Sequence, residues 1–448
     1  MTHVDLSRCA VAGLGVTGRA VANALIERGS QVVLLDDRPS ATAMSGLAAG
    51  LEVFDSSKSA DLEIALSGVT SLSVGPGVSA RHNIYKIAAS KGLPVVSELD
   101  LAAMWDSRPC AAVTGTNGKT TVTGLVTAML LQSNIEAVAA GNTDIPLVEA
   151  LSMRDPIPEV FVVEASSFRL HNVELFRPRV AAWLNFAPDH LDWHGDLESY
   201  ANSKKKIWEQ QKTDDITILP YGDEFINSMY KGAASQLLTF GPGGDVSVQG
   251  SHIVDRDEKI VAIQKMPLRR PHDLLNACAA VAIAREMGAK AEAVESVLIN
   301  FSGLSHRLEF VARTGGINFF NDSKATTPHA TVAALKGFED AVLIVGGRNK
   351  AIEFTPLLGA ISSVGAVVCI GETADLLVSL FSPHVPALKA SSMREAVNVA
   401  AAMAQDLSGS VLLSPACASF DWYPGYQARG DDFKKAVKQR SMGQGQDD

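Results

Sequence analysis

The five cysteines, Cys9, Cys110, Cys278, Cys369 and Cys417, stand singly among apolar neighbours. The close spacings of a zinc site or a disulfide framework are therefore missing, and reduced core thiols are expected. A basic excess is missing too: 39 Lys and Arg against 49 Asp and Glu give a net charge of -10. That excludes the broad cationic surface used on duplex nucleic acid, so any phosphates must be held by local sites. No apolar run is long enough to cross a bilayer, and the opening MTHVDLSRCAVAG has no apolar signal core. A cytoplasmic protein without membrane insertion is expected. Low-complexity tracts and short-period repeats are absent. What is present is a chain of 448 residues, 47% apolar and 20% charged, more than one hydrophobic core usually organises. Two or three folded domains are expected.

The first segment reads as RCAVAG, the loop GLGVTG, a helical stripe of Ala20, Val21, Ala24 and Leu25 closed by Gly29, and the strand QVVLLD. It runs to about Met104, where the polar, proline-containing DSRPC breaks the pattern. A second segment opens with the strand CAAVT and a helix carrying Val122, Leu125, Val126 and Met129 at helical spacing. Its strands FVVEASS and VAAWLNF end in polar residues, where open α/β sheets place their chemistry. After FSGLSHRLEF the pattern restarts with AVLIVGG, AVVCIG and SVLLSP. Three α/β domains are expected, 1–106, 107–303 and 304–448, with Gly303 as a hinge.

Gly13, Gly15 and Gly18 fit GxGxxG, and Asp36 ends the next strand about 20 residues on. Backbone NH groups and a carboxylate would hold a nicotinamide dinucleotide or another nucleotide diphosphate such as a UDP-sugar, and both stay open on these residues. Gly75, Pro76 and Gly77 mark another tight turn that could approach a ligand. AAVTGTNGKTTVTGLV departs from Walker A, which would place a glycine where Val113 stands. Gly115, Asn117 and Gly118 still permit inward NH groups, Lys119 adds a positive charge and Thr120 a hydroxyl for Mg2+. A lysine at a helix start opposes the dipole unless an anion sits opposite.

Glu164 ends the strand FVV, where an unpaired carboxylate would be costly, so a metal or a basic partner is needed. Asp189, His190 and Asp192 cluster after another strand as candidate metal ligands. In SYANSKKKIWEQQ, Tyr200, Ser203, Lys204, Ile207 and Trp208 share one helical stripe, so Lys204 turns inward while Lys205 and Lys206 reach solvent. Desolvation and adjacent cations would lower its pKa, leaving an amine able to react with CO2. The last third offers His306, Arg307, Asp322, Lys324, Thr326, Lys350, Ser414, Ser419 and Tyr426 after strand-like runs, a set suited to nucleotide phosphates and a small anionic substrate.

Taken in order, TGTNGKTT, EASSF, the DHxDxHG run, HRLE, NDSKAT and SPACASFD resemble the motifs of the Mur ligase family over essentially the whole chain, the last two most like its D-glutamate-adding branch. The resemblance implies an N-terminal Rossmann-like domain for a UDP-sugar, a central P-loop ATPase-like α/β domain and a C-terminal Rossmann-like domain. By the same resemblance, Gly115, Thr116, Asn117, Gly118, Lys119, Thr120, Thr121, Asn276, Arg307 and Asp322 contact ATP. Lys119, Glu164, His190 and Lys204 carry catalysis, and Thr120, Glu164, His190 and a CO2-derived carbamate on Lys204 hold two Mg2+ ions. Val16, Thr17, Asp36, Asp37, Arg38, Gly75, Pro76, Gly77 and Asn142 take the UDP-sugar, while Lys324, Thr326, Lys350, Ser419 and Tyr426 take D-glutamate. The implied enzyme is a cytoplasmic monomer that joins D-glutamate to UDP-N-acetylmuramoyl-L-alanine through an acyl phosphate, in peptidoglycan precursor synthesis.

Two positions depart from the family pattern: Asp273 stands where an asparagine is expected, and Asp37 beside Arg38 makes the uridine turn more acidic. A ligase of the same chemistry for another amino acid, or for glutamate on folate, is the first rival. An oxidoreductase built on GLGVTG would leave the central and C-terminal motifs unexplained. A guanine-nucleotide switch would need NKxD, and RNKAI has Ile352 where the aspartate belongs.

Overall fold

The computed structural model describes residues 4–39, 44–47, 50–301, 303, 305–349, 353–407 and 409–444. Lys350 and the expected boundary residue Leu304 lie outside them. The chain forms two compact units, residues 1–301 and 302–448.

The first unit holds two sheets. One has five parallel strands in the order Val53–Asp55, Gln31–Asp36, Arg8–Ala12, Ser71–Val74, Val95–Val96. Arg8–Ala12 sits in the middle with later strands on both sides, so the strand order reverses there and a crevice opens at the carboxyl ends. The expected glycine loop lies at that point. The second sheet has nine strands, with Cys110–Thr114 between Val160–Glu164 and Val180–Trp183. Its parallel core runs from Ala137–Gly141 through to Val246–Gln249, and an antiparallel ribbon, His252–Asp255 with Glu258–Ala262, ends it. Strands covered on both faces must be apolar throughout, which is why CAAVT and VFVVE read as continuous buried runs.

One hydrophobic cluster joins Cys9, Val11, Val21 and Leu25 of the first sheet's layer to Ala112, Phe161, Val163 and Trp183 of the second. A shared core of this kind makes the two sheets one unit. A separate cluster packs Val122, Val126 and Met129 of the helix Lys119–Gln132 with Val281 and Ile283 of the helix Pro271–Glu286.

The second unit holds six strands in the order Glu309–Thr314, Ile317–Asn321, Ser410–Leu413, Ala341–Gly346, Val364–Ile370, Ala387–Lys389. All pairs are parallel except the first hairpin. Three parallel-rich sheets with crossover helices are the α/β architecture expected from the sequence. No helix among the described residues is long and apolar enough to cross a membrane.

Candidate active site

The first crevice is lined by Gly13, Gly15, Val16, Thr17, Gly18, Asp36, Asp37, Arg38, the 75–77 turn and Val78. Gly13 has φ 81°, and a Cβ on Gly18 would strike the Gly13 carbonyl oxygen, so the loop can close this tightly only with glycine at both positions. Asp36 spends both oxygens on the backbone, accepting from Leu14 N at 2.7 Å and Arg38 N at 2.9 Å. Its carboxylate therefore shapes the loop before it meets any ligand. Asp37, half exposed, accepts from Ser56 Oγ at 2.7 Å and sits 3.1 Å from His82 Nε2.

In the second sheet Val113 is a fully buried strand residue, so the turn begins only at Gly115 and the loop is shorter than Walker A. Gly118 is the N-cap of the helix Lys119–Gln132 with φ 83°, and a Cβ there would run into the Asn276 side-chain oxygen. Asn276, from the helix Pro271–Glu286, is thereby placed against the loop. Lys119 Nζ donates to the Gly115 carbonyl at 2.8 Å and the Thr116 carbonyl at 3.0 Å. Lys204 Nζ donates to the same Gly115 oxygen at 2.8 Å and lies 4.6 Å from the Tyr200 ring centroid. Two ammonium groups on one carbonyl repel. Burial, then the Lys119 charge, hold the Lys204 pKa well below the usual lysine range, against a smaller opposing pull from Asp189. The neighbouring cation that matters is thus Lys119, and not Lys205 or Lys206 as adjacency in sequence suggests.

The stripe that singles out Lys204 is buried as expected, but the helix is Leu197–Lys205 and ends before Ile207 and Trp208. Bonds from Ile207 N to Lys204 O and from Trp208 N to Lys205 O tighten the chain into turns that keep both side chains inside. Tyr200 OH lies 3.2 Å from Thr116 Oγ1, tying this segment to the loop.

Glu164, 2% exposed, accepts from Asn142 Nδ2 at 2.9 Å through Oε1, while Oε2 is buried with no hydrogen-bond partner. An orphaned carboxylate oxygen at a strand tip beside the phosphate-type loop fits a divalent cation. His190 has φ 54° and a partly exposed ring, 3.4 Å from Asp189 Oδ2 and packed on Phe168 at 4.7 Å. Among the described residues no group of three or more His, Cys, Asp and Glu side chains is placed to hold a metal. The expected set is mixed instead, one carboxylate and one imidazole with the Thr120 hydroxyl and a modified lysine.

In the second unit Asp322 is 7% exposed and accepts from Ser414 Oγ at 2.8 Å and Leu308 N at 3.2 Å. Burial raises its pKa to about 6, and the Ser414 bond limits the rise. Arg307 is exposed, and its charge acts on Asp322 in the same lowering direction. Lys324 Nζ lies 5.3 Å from the Tyr426 ring centroid. Ser419 is buried, and Thr326 is half-buried beside the helix Pro328–Leu335.

Three stretches match family models in chain order: residues 7–97 the Mur ligase MurD-like N-terminal domain, 113–284 the Mur ligase middle domain and 306–417 the Mur ligase glutamate ligase domain. A UDP-N-acetylmuramoylalanine–D-glutamate ligase of Desulfosudis oleivorans is 38% identical over 97% of this chain and 96% of its own length. The chain belongs to the Mur ligase family. A second relative of the same description, from Frankia casuarinae, is also 38% identical, over 96% of this chain and 93% of its own. The UDP-N-acetylmuramate-alanine ligase of Thermotoga maritima, 18% identical, shares the fold with a TM-score of 0.53 over 97% of this chain and 99% of that one.

Within this Mur ligase fold, three residues that sequence reasoning passed over make fixed polar contacts, two in the first unit and one in the second. Asn185 accepts from Thr116 N at 3.1 Å and Asn117 N at 2.9 Å and returns a bond to Asn117 O at 3.1 Å. Its only sequence signal is a polar residue just past the strand VAAW. Arg169 pairs with Glu98 at 2.7 Å in a buried contact. Arg429, 1% exposed, donates to Ser323 Oγ, Ser323 O and Cys417 O, and burial lowers its pKa to about 10. Asp273, where an asparagine was expected, accepts from the backbone N of the N-cap residue Arg270 at 3.0 Å, at the start of the helix Pro271–Glu286.

Proposed function

We propose that this chain is an ATP-dependent ligase that joins D-glutamate to UDP-N-acetylmuramoyl-L-alanine for peptidoglycan precursors, acting in the cytoplasm as a monomer. The family and the relatives above support the reaction class and the amino acid. The observation that carries the reading is the convergence of Lys119 and Lys204 on the Gly115 carbonyl, just past the strand that pairs with the one ending at Glu164, whose Oε2 has no partner.

The substrate carboxylate attacks the γ-phosphorus of ATP and ADP leaves. The amine of D-glutamate then attacks the acyl carbon, phosphate leaves, and the amine gives up a proton as the amide forms. No protein nucleophile is required. The task is to position the partners and to spread negative charge. Lys119 and the N-terminus of the helix Lys119–Gln132 face the phosphates, while the Thr116 and Asn117 NH groups are spent on Asn185, which locks the turn. Thr120, Glu164, His190 and Lys204 would hold Mg2+, which would supply charge neutralisation at the transferring phosphoryl group. Lys204 fits that set only as a carbamate: its depressed pKa favours the free amine, whose nitrogen would bond to the carbon of CO2 and release one proton to solvent, turning a second repelling cation into an oxygen ligand. Asn276, Thr121, Arg307 and Asp322 contact the nucleotide. Val16, Thr17, Asp36, Asp37, Arg38, the 75–77 turn and Asn142 hold the UDP-sugar, and Lys324, Thr326, Lys350, Ser419 and Tyr426 the D-glutamate.

Phosphate release measured with ATP, Mg2+ and UDP-N-acetylmuramoyl-L-alanine should rise with D-glutamate and stay at background with L-alanine, diaminopimelate and L-glutamate. Turnover with one of those and none with D-glutamate would replace the substrate assignment. Absence of turnover with every acceptor would remove the reaction.

A further inference from the structure

We propose that Arg169 is a positioning residue for the diphosphate of the nucleotide sugar, acting by fixing the direction of the Thr17 hydroxyl; this rests on the assignment of the first crevice to that ligand. Arg169 is 8% exposed on the short helix Ser167–Leu170. Nη1 donates to Glu98 Oε2 at 2.7 Å and Nη2 to Thr17 Oγ1 at 2.8 Å, while Nε is buried without a partner. Glu98, 6% exposed, uses its other oxygen to accept from Val148 N at 3.0 Å. A buried ion pair of this kind is seldom kept for stability alone, because well-packed apolar side chains do as well.

The direction of the hydrogen bond supplies another use. A guanidinium has donors and no acceptor, so Thr17 Oγ1 must accept from Arg169. The single hydroxyl hydrogen is then left to be given elsewhere, and among the described residues none takes it. Thr17 lies in the first turn of the helix Val16–Glu27, whose N-cap Gly15 brings no side chain, and it lines the crevice with Asp36 and the 75–77 turn. An anionic oxygen there is the acceptor the hydroxyl lacks, reinforced by the helix N-terminus. A glutamine at position 169 could accept as well as donate and would leave the hydroxyl free to point either way. Arginine removes that freedom.

The test is titration calorimetry of the full chain with UDP, in a double-mutant cycle. Thr17→Val removes the hydroxyl. Arg169→Met with Glu98→Gln removes both charges of the pair together, so that no buried charge is stranded. Each should weaken UDP about tenfold, the scale of one hydrogen bond to a charged group, and leave ADP binding unchanged. All three changes together should weaken UDP no further than either arm, because both arms act on one hydroxyl. Arg169→Gln with Glu98→Gln replaces the donor-only group by an amide that can accept as well as donate, and it should reproduce the loss if the Met variant fails to fold. Multiplying losses, or wild-type UDP affinity in the Arg169 variants, would overturn the proposal while the crevice assignment stands. A wild-type chain that ignores UDP would overturn both.

Discussion

A lysine ammonium at 1% exposure, sharing a carbonyl with a second ammonium, is a liability in the ligand-free protein. Its depressed pKa means that the native state sheds a proton which the unfolded chain keeps up to its ordinary value of 10.5, so Lys204 costs stability in full below the depressed value, and the cost falls as pH rises from there and is gone only above 10.5. Lys204→Met should therefore raise the unfolding temperature of the free protein at neutral pH while reducing ligase turnover by about a hundredfold or more, the scale expected when a metal's charge stabilisation is lost. Labelled bicarbonate should give a carbamate carbonyl signal by NMR in the wild type and none in Lys204→Met. Full turnover in that variant would remove the carbamate from the mechanism. Asp322 obeys the opposite sign. Its pKa is raised from 3.8 to about 6, so the native state binds a proton that the unfolded state has released. The stability it contributes is complete below the unfolded value and is lost as pH rises through about 6, a difference of roughly 3 kcal/mol at about 1.4 kcal/mol per pH unit. Asp322→Asn should flatten the decline in denaturant stability between pH 4 and 7, and an unchanged decline would show that another group causes it.

At the scale of elements, the strand-turn-helix around residues 110–132 depends on Gly118 for two separate reasons. Its φ of 83° strains any residue with a Cβ, and the space a Cβ would fill is taken by Asn276. Gly118→Ala should cost about 1–3 kcal/mol of thermal stability and weaken ATP binding, since the NH groups must move to make room. Asn276→Gly should recover the steric part of the stability loss and none of the backbone part, so the double variant falls between wild type and Gly118→Ala in unfolding temperature. Equal stability of Gly118→Ala and wild type would show that the turn is not set by this contact. The loop, its glycines and the lysine were legible in sequence because turn chemistry is local. The face on which Lys204 sits was legible too, from Tyr200, Ser203, Ile207 and Trp208, even though the helix stops at Lys205 and turns carry the last two inward. Asn185 was not legible: its bonds reach back 68 and 69 residues to Asn117 and Thr116, and strand adjacency alone makes them neighbours. The Lys119 and Lys204 encounter on Gly115 was hidden for the same reason, the sequence offering Lys205 and Lys206 as nearer cations.

For the whole molecule, periodicity showed three α/β segments, and three sheets are present. What periodicity cannot report is which sheets share a core, because the face a side chain covers depends on which layer packs over it. Val11 and Leu25 meet the same cluster as Phe161 and Trp183, so residues 1–301 hold together across two sheets while 302–448 form a core of their own. Units with separate cores can unfold as separate cooperative bodies. Scanning calorimetry of the full chain should then resolve two transitions. UDP should move only the one belonging to residues 1–301, because every residue lining the first crevice lies there. At a hundredfold excess over its dissociation constant the ligand adds about 2.7 kcal/mol to that unit and nothing to the other. Limited proteolysis during the scan would identify the unit that persists. A single transition that shifts as a whole with UDP would mean that the two cores melt as one cooperative body, and the three segments would then have to be treated as one folding unit despite their separate sheets.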